Sequence, residues 1–132
     1  MSWLFALFLV AHALIHVSFV SPRPAATAGG PQWPFDLSHS WLLAPVGVEG
    51  DATRLLGVAL IALVVAGFAI AALATLGILG SGAFAPAVVL GSVASLVLLA
   101  AFFHPWLTLG LVIDVALVWA VTVARWSPIS AG

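Results

Sequence analysis

The stretch Leu55–Leu79, LLGVALIALVVAGFAIAALATLGIL, contains no charged side chain. A hydrocarbon core about 30 Å thick is crossed by about 20 apolar residues in a helix. Three further stretches approach that length. They are Trp3–Val20, interrupted by His12, His16 and Ser18; Ala85–Phe103; and Trp106–Ala124, broken by Asp114. A membrane strand alternates polar and apolar residues, and these runs are uniformly apolar. The pattern predicts an all-α integral membrane bundle of four transmembrane helices in a single domain over residues 1–132. The expected spans are about 3–20, 54–79, 85–103 and 106–125, with a longer first loop over 21–50.

Composition agrees. Of the 132 residues, 64% are apolar and 5% charged, with no cysteine. Soluble domains carry roughly a quarter charged residues, so seven ionised side chains (three Arg, four Asp or Glu) cannot clothe a surface in water. No basic stripe is present to neutralise phosphates, which excludes nucleic acid as a partner. The lipid bilayer is the expected partner, with a homo-oligomer or a larger membrane complex as further candidates.

Punctuation supports the boundaries. Pro22 and Pro24 stop the first helix, because proline lacks the donor and clashes with the preceding turn. Asp51 or Thr53 is placed to cap the second. Gly80-Ser81-Gly82 turns into the third, and His104-Pro105 joins the third to the fourth. Trp3, Trp106 and Trp126 lie at span ends, where indoles favour the interface. Ala26-Thr27-Ala28 resembles a cleavage site. However, the apolar run before it is long for a leader, holds two histidines and lacks a basic start, which favours a retained span. Within the first loop, Trp33, Phe35, Trp41 and Leu42 stand among polar groups. This predicts a short interfacial helix or a re-entrant cap over residues 34–43. Arginines flank both faces, so the positive-inside count does not set the orientation. The long first loop tilts the reading to termini inside.

The polar residues are not scattered. At about 1.5 Å per residue from the face carrying the first and third loops, His16 lies about 6 Å deep and His12 about 12 Å. Asp114 and Ser95 reach about the same depth as His12. His104 lies at that face, and Asp36 and His39 in the loop above it. His12 and His16, at i and i+4, share one helix face, a spacing that suits one metal ion. Ionisable groups inside a membrane face a cavity or the bundle interior and need partners, and Asp114 is the sharpest case. Ser92 and Ser95 read as packing residues. Ala87, Gly91 and Ser95 form a ridge of small residues on which another helix can lie close.

Histidine nitrogens with one carboxylate and no cysteine suit zinc, copper or non-haem iron. The candidate ligands are His12, His16, Asp114, His104 and His39. Three of them leave a position for water, which zinc would activate, and Asp114 is also placed to orient a ligand histidine. These residue types are similar to those of the seven-span membrane zinc hydrolases of the ceramidase and progestin-receptor type. Three other readings stand beside a metal site. One is haem between His12 or His16 and His104. Another is a proton relay through His12, His16 and Asp114. The last is a non-catalytic accessory subunit. Whether the chain is an enzyme stays open at this point.

The run Ala11-His12-Ala13-Leu14-Ile15-His16-Val17-Ser18-Phe19 resembles the start of a family of small bacterial four-span proteins with an N-terminal HGLIHL-like motif. Arg54-Leu55-Leu56-Gly57 is similar to the start of that family's second span, and an aspartate and a glycine in the last span match in kind. Ala13 departs from the usual glycine. The resemblance implies the four-span architecture and singles out His12 and His16; it implies no reaction.

Overall fold

A computed structural model describes residues 2–21, 28–30 and 36–129. Its architecture is four antiparallel helices: α1 (Ser2–Val17), α2 (Asp51–Thr75), α3 (Phe84–Ala101) and α4 (Thr108–Thr122). Short 3-10 turns extend α1 through Ser18–Val20 and precede α3 (Ser81–Ala83) and α4 (Pro105–Leu107). With these turns, all four are long and apolar enough to cross a membrane. No strand occurs among the described residues. Consecutive helices pack side by side, α1 on α2, α2 on α3 and α3 on α4.

Each helix turns a stripe inward. On α1 the buried positions are Ala6, Leu9, His12, Ala13 and His16, the three-and-four spacing of one helix face. On α4 they are Asp114, Leu117 and Val121. The other faces are also apolar: Leu7, Leu55, Leu109 and Val112 stand on the outer surface. An outer surface of that kind suits hydrocarbon. The α2–α3 contact is the closest. A Cβ built on Gly67 would lie 2.5 Å from the Gly91 backbone nitrogen and 2.9 Å from the Ala87 carbonyl oxygen. The small-residue ridge of α3 therefore meets α2, backbone against backbone, and dispersion contact replaces the missing hydrophobic drive between helices in lipid.

Three boundaries differ from the sequence reading. Helix α2 stops at Thr75, short of Leu79. Gly77 adopts φ +75°, and the Gly77 and Ile78 amides donate to the Ala74 and Leu73 carbonyls at 3.1 and 3.0 Å. This pairing closes a helix on a left-handed glycine and leaves no ladder to continue. At the start of α2 the cap position is Gly50, without a side-chain cap. The Thr53 hydroxyl instead donates backwards to the Val48 carbonyl at 2.9 Å. In the first loop, the described part of the 34–43 segment forms turns, followed by one 3-10 turn (Ala44–Val46), rather than an α-helix. It caps the bundle through side chains: Ser40 Oγ donates to the Ala101 carbonyl at 2.5 Å and Trp41 Nε1 to that of Ala100 at 2.8 Å. These carbonyls sit at the last turn of α3, where the helix has no amide left to offer them. Leu37 is buried against Gly57 and Phe102. The expectations on Pro22, Pro24, Ala26-Thr27, Trp33 and Phe35 fall outside the described residues.

The core divides in two. One cluster, with Leu9, Val64, Phe68, Phe84, Val88 and Leu117, fills the half nearer the termini. The other, with Phe19, Leu37, Ile61, Leu98, Phe102 and Leu107, fills the half nearer the first loop.

Candidate metal centre

Four polar side chains from three helices converge in the bundle interior. Asp114 and Ser95 are fully buried, and His12 and His16 nearly so. His12 Nε2 lies 3.0 Å from Asp114 Oδ1. The Ser95 hydroxyl donates to Asp114 Oδ2 at 2.5 Å and lies 2.7 Å from His16 Nε2. His16 Nδ1 lies 2.9 Å from the His12 carbonyl oxygen one turn earlier. The result is an unbroken chain from His12 through Asp114 and Ser95 to His16. Phe68 meets the His12 ring edge-on at 5.1 Å, and Phe19 stacks on His16 at 5.6 Å.

Local sequence explains the convergence. The i, i+4 spacing puts both histidines on the buried stripe of α1. Gly110, one turn before Asp114, brings α4 close to α3: its missing Cβ would stand 3.0 Å from Leu99 Cδ1. Asp114 then faces Ser95 and reaches His12 across the bundle.

The chain admits two proton arrangements. The His12 carbonyl only accepts, so His16 Nδ1 carries a proton. With Asp114 ionised, the Ser95 hydroxyl donates to Oδ2 and the His16 Nε2–H donates to Ser95, making His16 an imidazolium. With Asp114 protonated on Oδ2, both bonds reverse and His16 is neutral. In each, His12 Nε2–H donates to Oδ1. The two arrangements hold the same protons and zero net charge. Electrical neutrality is what permits four polar groups in a membrane interior, where an unpaired charge is costly.

His12, His16 and Asp114 also offer one ligand atom each within 4.8 Å of one another. With His16 Nδ1 taken by the His12 carbonyl, an ion would draw on His16 Nε2, now bonded to Ser95, His12 Nε2, now bonded to Asp114, and a carboxylate oxygen. Two imidazoles and one carboxylate form a donor set that zinc, copper and iron accept, and the Ser95 hydroxyl, donating to Asp114 Oδ2, is placed to orient the carboxylate. Cation uptake at His16 Nε2 requires that atom to be free of its proton, so affinity falls at low pH.

The remaining candidates sit elsewhere. His104 begins the turn into α4, and its Nδ1 accepts from the Trp106 amide at 3.2 Å. His39 is exposed in the first loop. Neither joins the group formed by the other three. Asp36 Oδ1 accepts from the Ser38 amide and hydroxyl. Ser95, which the sequence reads as a packing residue, joins the site; its depth, equal to that of His12 and Asp114, is the signal for it. Ser92, also fully buried, has no hydrogen-bond partner for its hydroxyl among the described residues.

No family model, curated protein or solved structure matches the chain.

Proposed function

We propose that this chain is a small multi-pass membrane protein that binds one transition-metal ion through His12, His16 and Asp114, with Ser95 orienting Asp114. The observation that carries the reading is the convergence of three potential ligands, on two helices, within 4.8 Å inside an apolar bundle. Zinc, copper and iron all suit the donors. As ligand or orienter, Asp114 supplies the negative charge that offsets part of the cation's own. The resemblance to the bacterial HGLIHL-like four-span family points to the same two histidines and to a bacterial cytoplasmic membrane, and the long first loop favours termini inside.

Elemental analysis of the purified full chain tests this. Close to one equivalent of zinc, copper or iron per chain is expected, and its loss in the folded His12→Ala/His16→Ala variant. A wild-type chain that takes up no metal from any of the three salts, or a variant that retains it, overturns the proposal.

A second reading is favoured by a separate observation, the continuous hydrogen-bond chain from His12 to His16. A chain with two proton arrangements can pass a proton between Asp114 and His16 through the Ser95 hydroxyl. A haem site would need a histidine on a facing helix, and His104, at the rim with Nδ1 engaged, is poorly placed for it.

A further inference from the structure

Beside the polar chain, residues of α1, α3 and α4 line a cavity of about 200 Å³. His12 and His16 line one side, Gly110 and Ile113 the other, and Leu99 of α3 the back. Ile15 and Leu109, both on the outer surface of the bundle, flank the cavity where it meets the surroundings. Except for the two histidines the lining is apolar apart from an indole, and no arginine or acid contributes to it.

The histidines are not equally satisfied. Both His16 nitrogens have partners, at the His12 carbonyl and Ser95. His12 spends Nε2 on Asp114, and its Nδ1 makes no hydrogen bond among the described residues, although the residue is only 4% exposed. Among the described residues the Ser92 hydroxyl is the one fully buried polar side-chain atom without a partner, so the His12 Nδ1 keeps contact with open space, and His12 lines the cavity.

We propose that this cavity binds a neutral lipophilic alcohol drawn from the bilayer, its hydroxyl on His12 Nδ1 and its chain passing out between Ile15 and Leu109. With Nε2–H given to Asp114, a neutral His12 presents a lone pair at Nδ1, which a hydroxyl satisfies as donor. With a cation on Nε2, Nδ1 carries the proton, and the same hydroxyl satisfies it as acceptor. The inference therefore stands with or without the metal. An anionic head finds no arginine in the lining and would lie beside Asp114 in low dielectric. Size agrees: a dry cavity of about 150 Å³ holds a benzene-sized guest, so this one takes the head and first carbons, with the rest in lipid.

The test is photolabelling of the full chain in detergent with a diazirine-bearing octanol, mapped by mass spectrometry. Saturable labelling at Ile15, Leu109 or Ile113 is expected, displaced by excess octanol and not by octanoate. Losing one hydrogen bond weakens binding about tenfold, and His12→Phe should do so. Gly110→Phe fills the cavity, and Leu109→Trp blocks it from the outer rim without touching the core; each should abolish the saturable component. Labelling spread evenly over lipid-facing residues, equal displacement by octanoate, or indifference to both His12→Phe and Leu109→Trp overturns the proposal. Labelling of metal-depleted protein is expected to persist, which separates this result from the elemental analysis.

Discussion

Replacing Ser95 with alanine removes one hydroxyl and breaks the polar chain at its middle. Two buried atoms lose their shared partner, Asp114 Oδ2 and His16 Nε2, while the His12–Asp114 contact at 3.0 Å stays. In a soluble core each orphaned atom costs about 1–3 kcal/mol, giving about 2–6 kcal/mol for the pair. Inside a membrane the unfolded reference also finds partners, and single interhelical hydrogen bonds contribute about 0.6 kcal/mol on average and up to about 1.7. The membrane scale governs here, because all three helices lie in the same solvent before and after packing. Ser95→Ala should therefore destabilise by about 1–3 kcal/mol. Reversible unfolding in mixed micelles, followed by circular dichroism, measures it. A double-mutant cycle with His16→Ala isolates the bond: a coupling of about 1 kcal/mol is expected, since groups in one network do not add. Zinc affinity of Ser95→Ala should fall about 10- to 100-fold, as for other residues that orient ligands. A Ser95→Ala chain as stable as wild type, or effects that add within about 0.5 kcal/mol, would refute the bridge.

Other substitutions test the surrounding structure. Gly67→Ala places a Cβ 2.5 Å from a backbone nitrogen of α3, so α2 and α3 must separate; a loss of about 1–3 kcal/mol is expected in the same unfolding assay, whereas Gly82→Ala, with open space around it, should be neutral. Ser92→Ala removes a buried hydroxyl that has no partner among the described residues and should be neutral or stabilising by up to about 1 kcal/mol. Gly77→Ala imposes a side chain at φ +75° and should cost about 1 kcal/mol while fraying the end of α2, visible as faster hydrogen exchange at Ile78. Ser40→Ala with Trp41→Phe frees two α3 carbonyls and should raise exchange across residues 37–43 without changing metal content.

The sequence makes the four helices and the depth of the polar groups legible because both follow from counting: 25 uncharged residues from Leu55 to Leu79 are a span, and eight residues separate each of His12, Ser95 and Asp114 from the same face. Rotation about each axis is a different matter. A helix in water shows which face is buried by turning polar residues outward. Here Leu7, Leu109 and Val112 on the outside are as apolar as Leu9 and Leu117 within, so that contrast is absent. The histidine spacing showed that His12 and His16 share a face; only packing shows that it looks at Ser95 and Asp114. Ser95 reads as a packing residue for the same reason: the ridge Ala87–Gly91–Ser95 does meet α2 through Gly91, yet Ser95 itself bonds towards α1 and α4. The loop cap was visible as a cluster of aromatic and polar residues, but not its attachment, since Ser40 and Trp41 reach carbonyls about sixty residues away in sequence.

X-ray absorption at the metal edge of the loaded, full-length protein tests the central claim most directly. The account predicts two imidazole nitrogens at about 2.0–2.1 Å together with oxygen ligands, the imidazole signature vanishing in His12→Ala/His16→Ala. A loaded chain without imidazole scattering, or with the same spectrum in that variant, would contradict it.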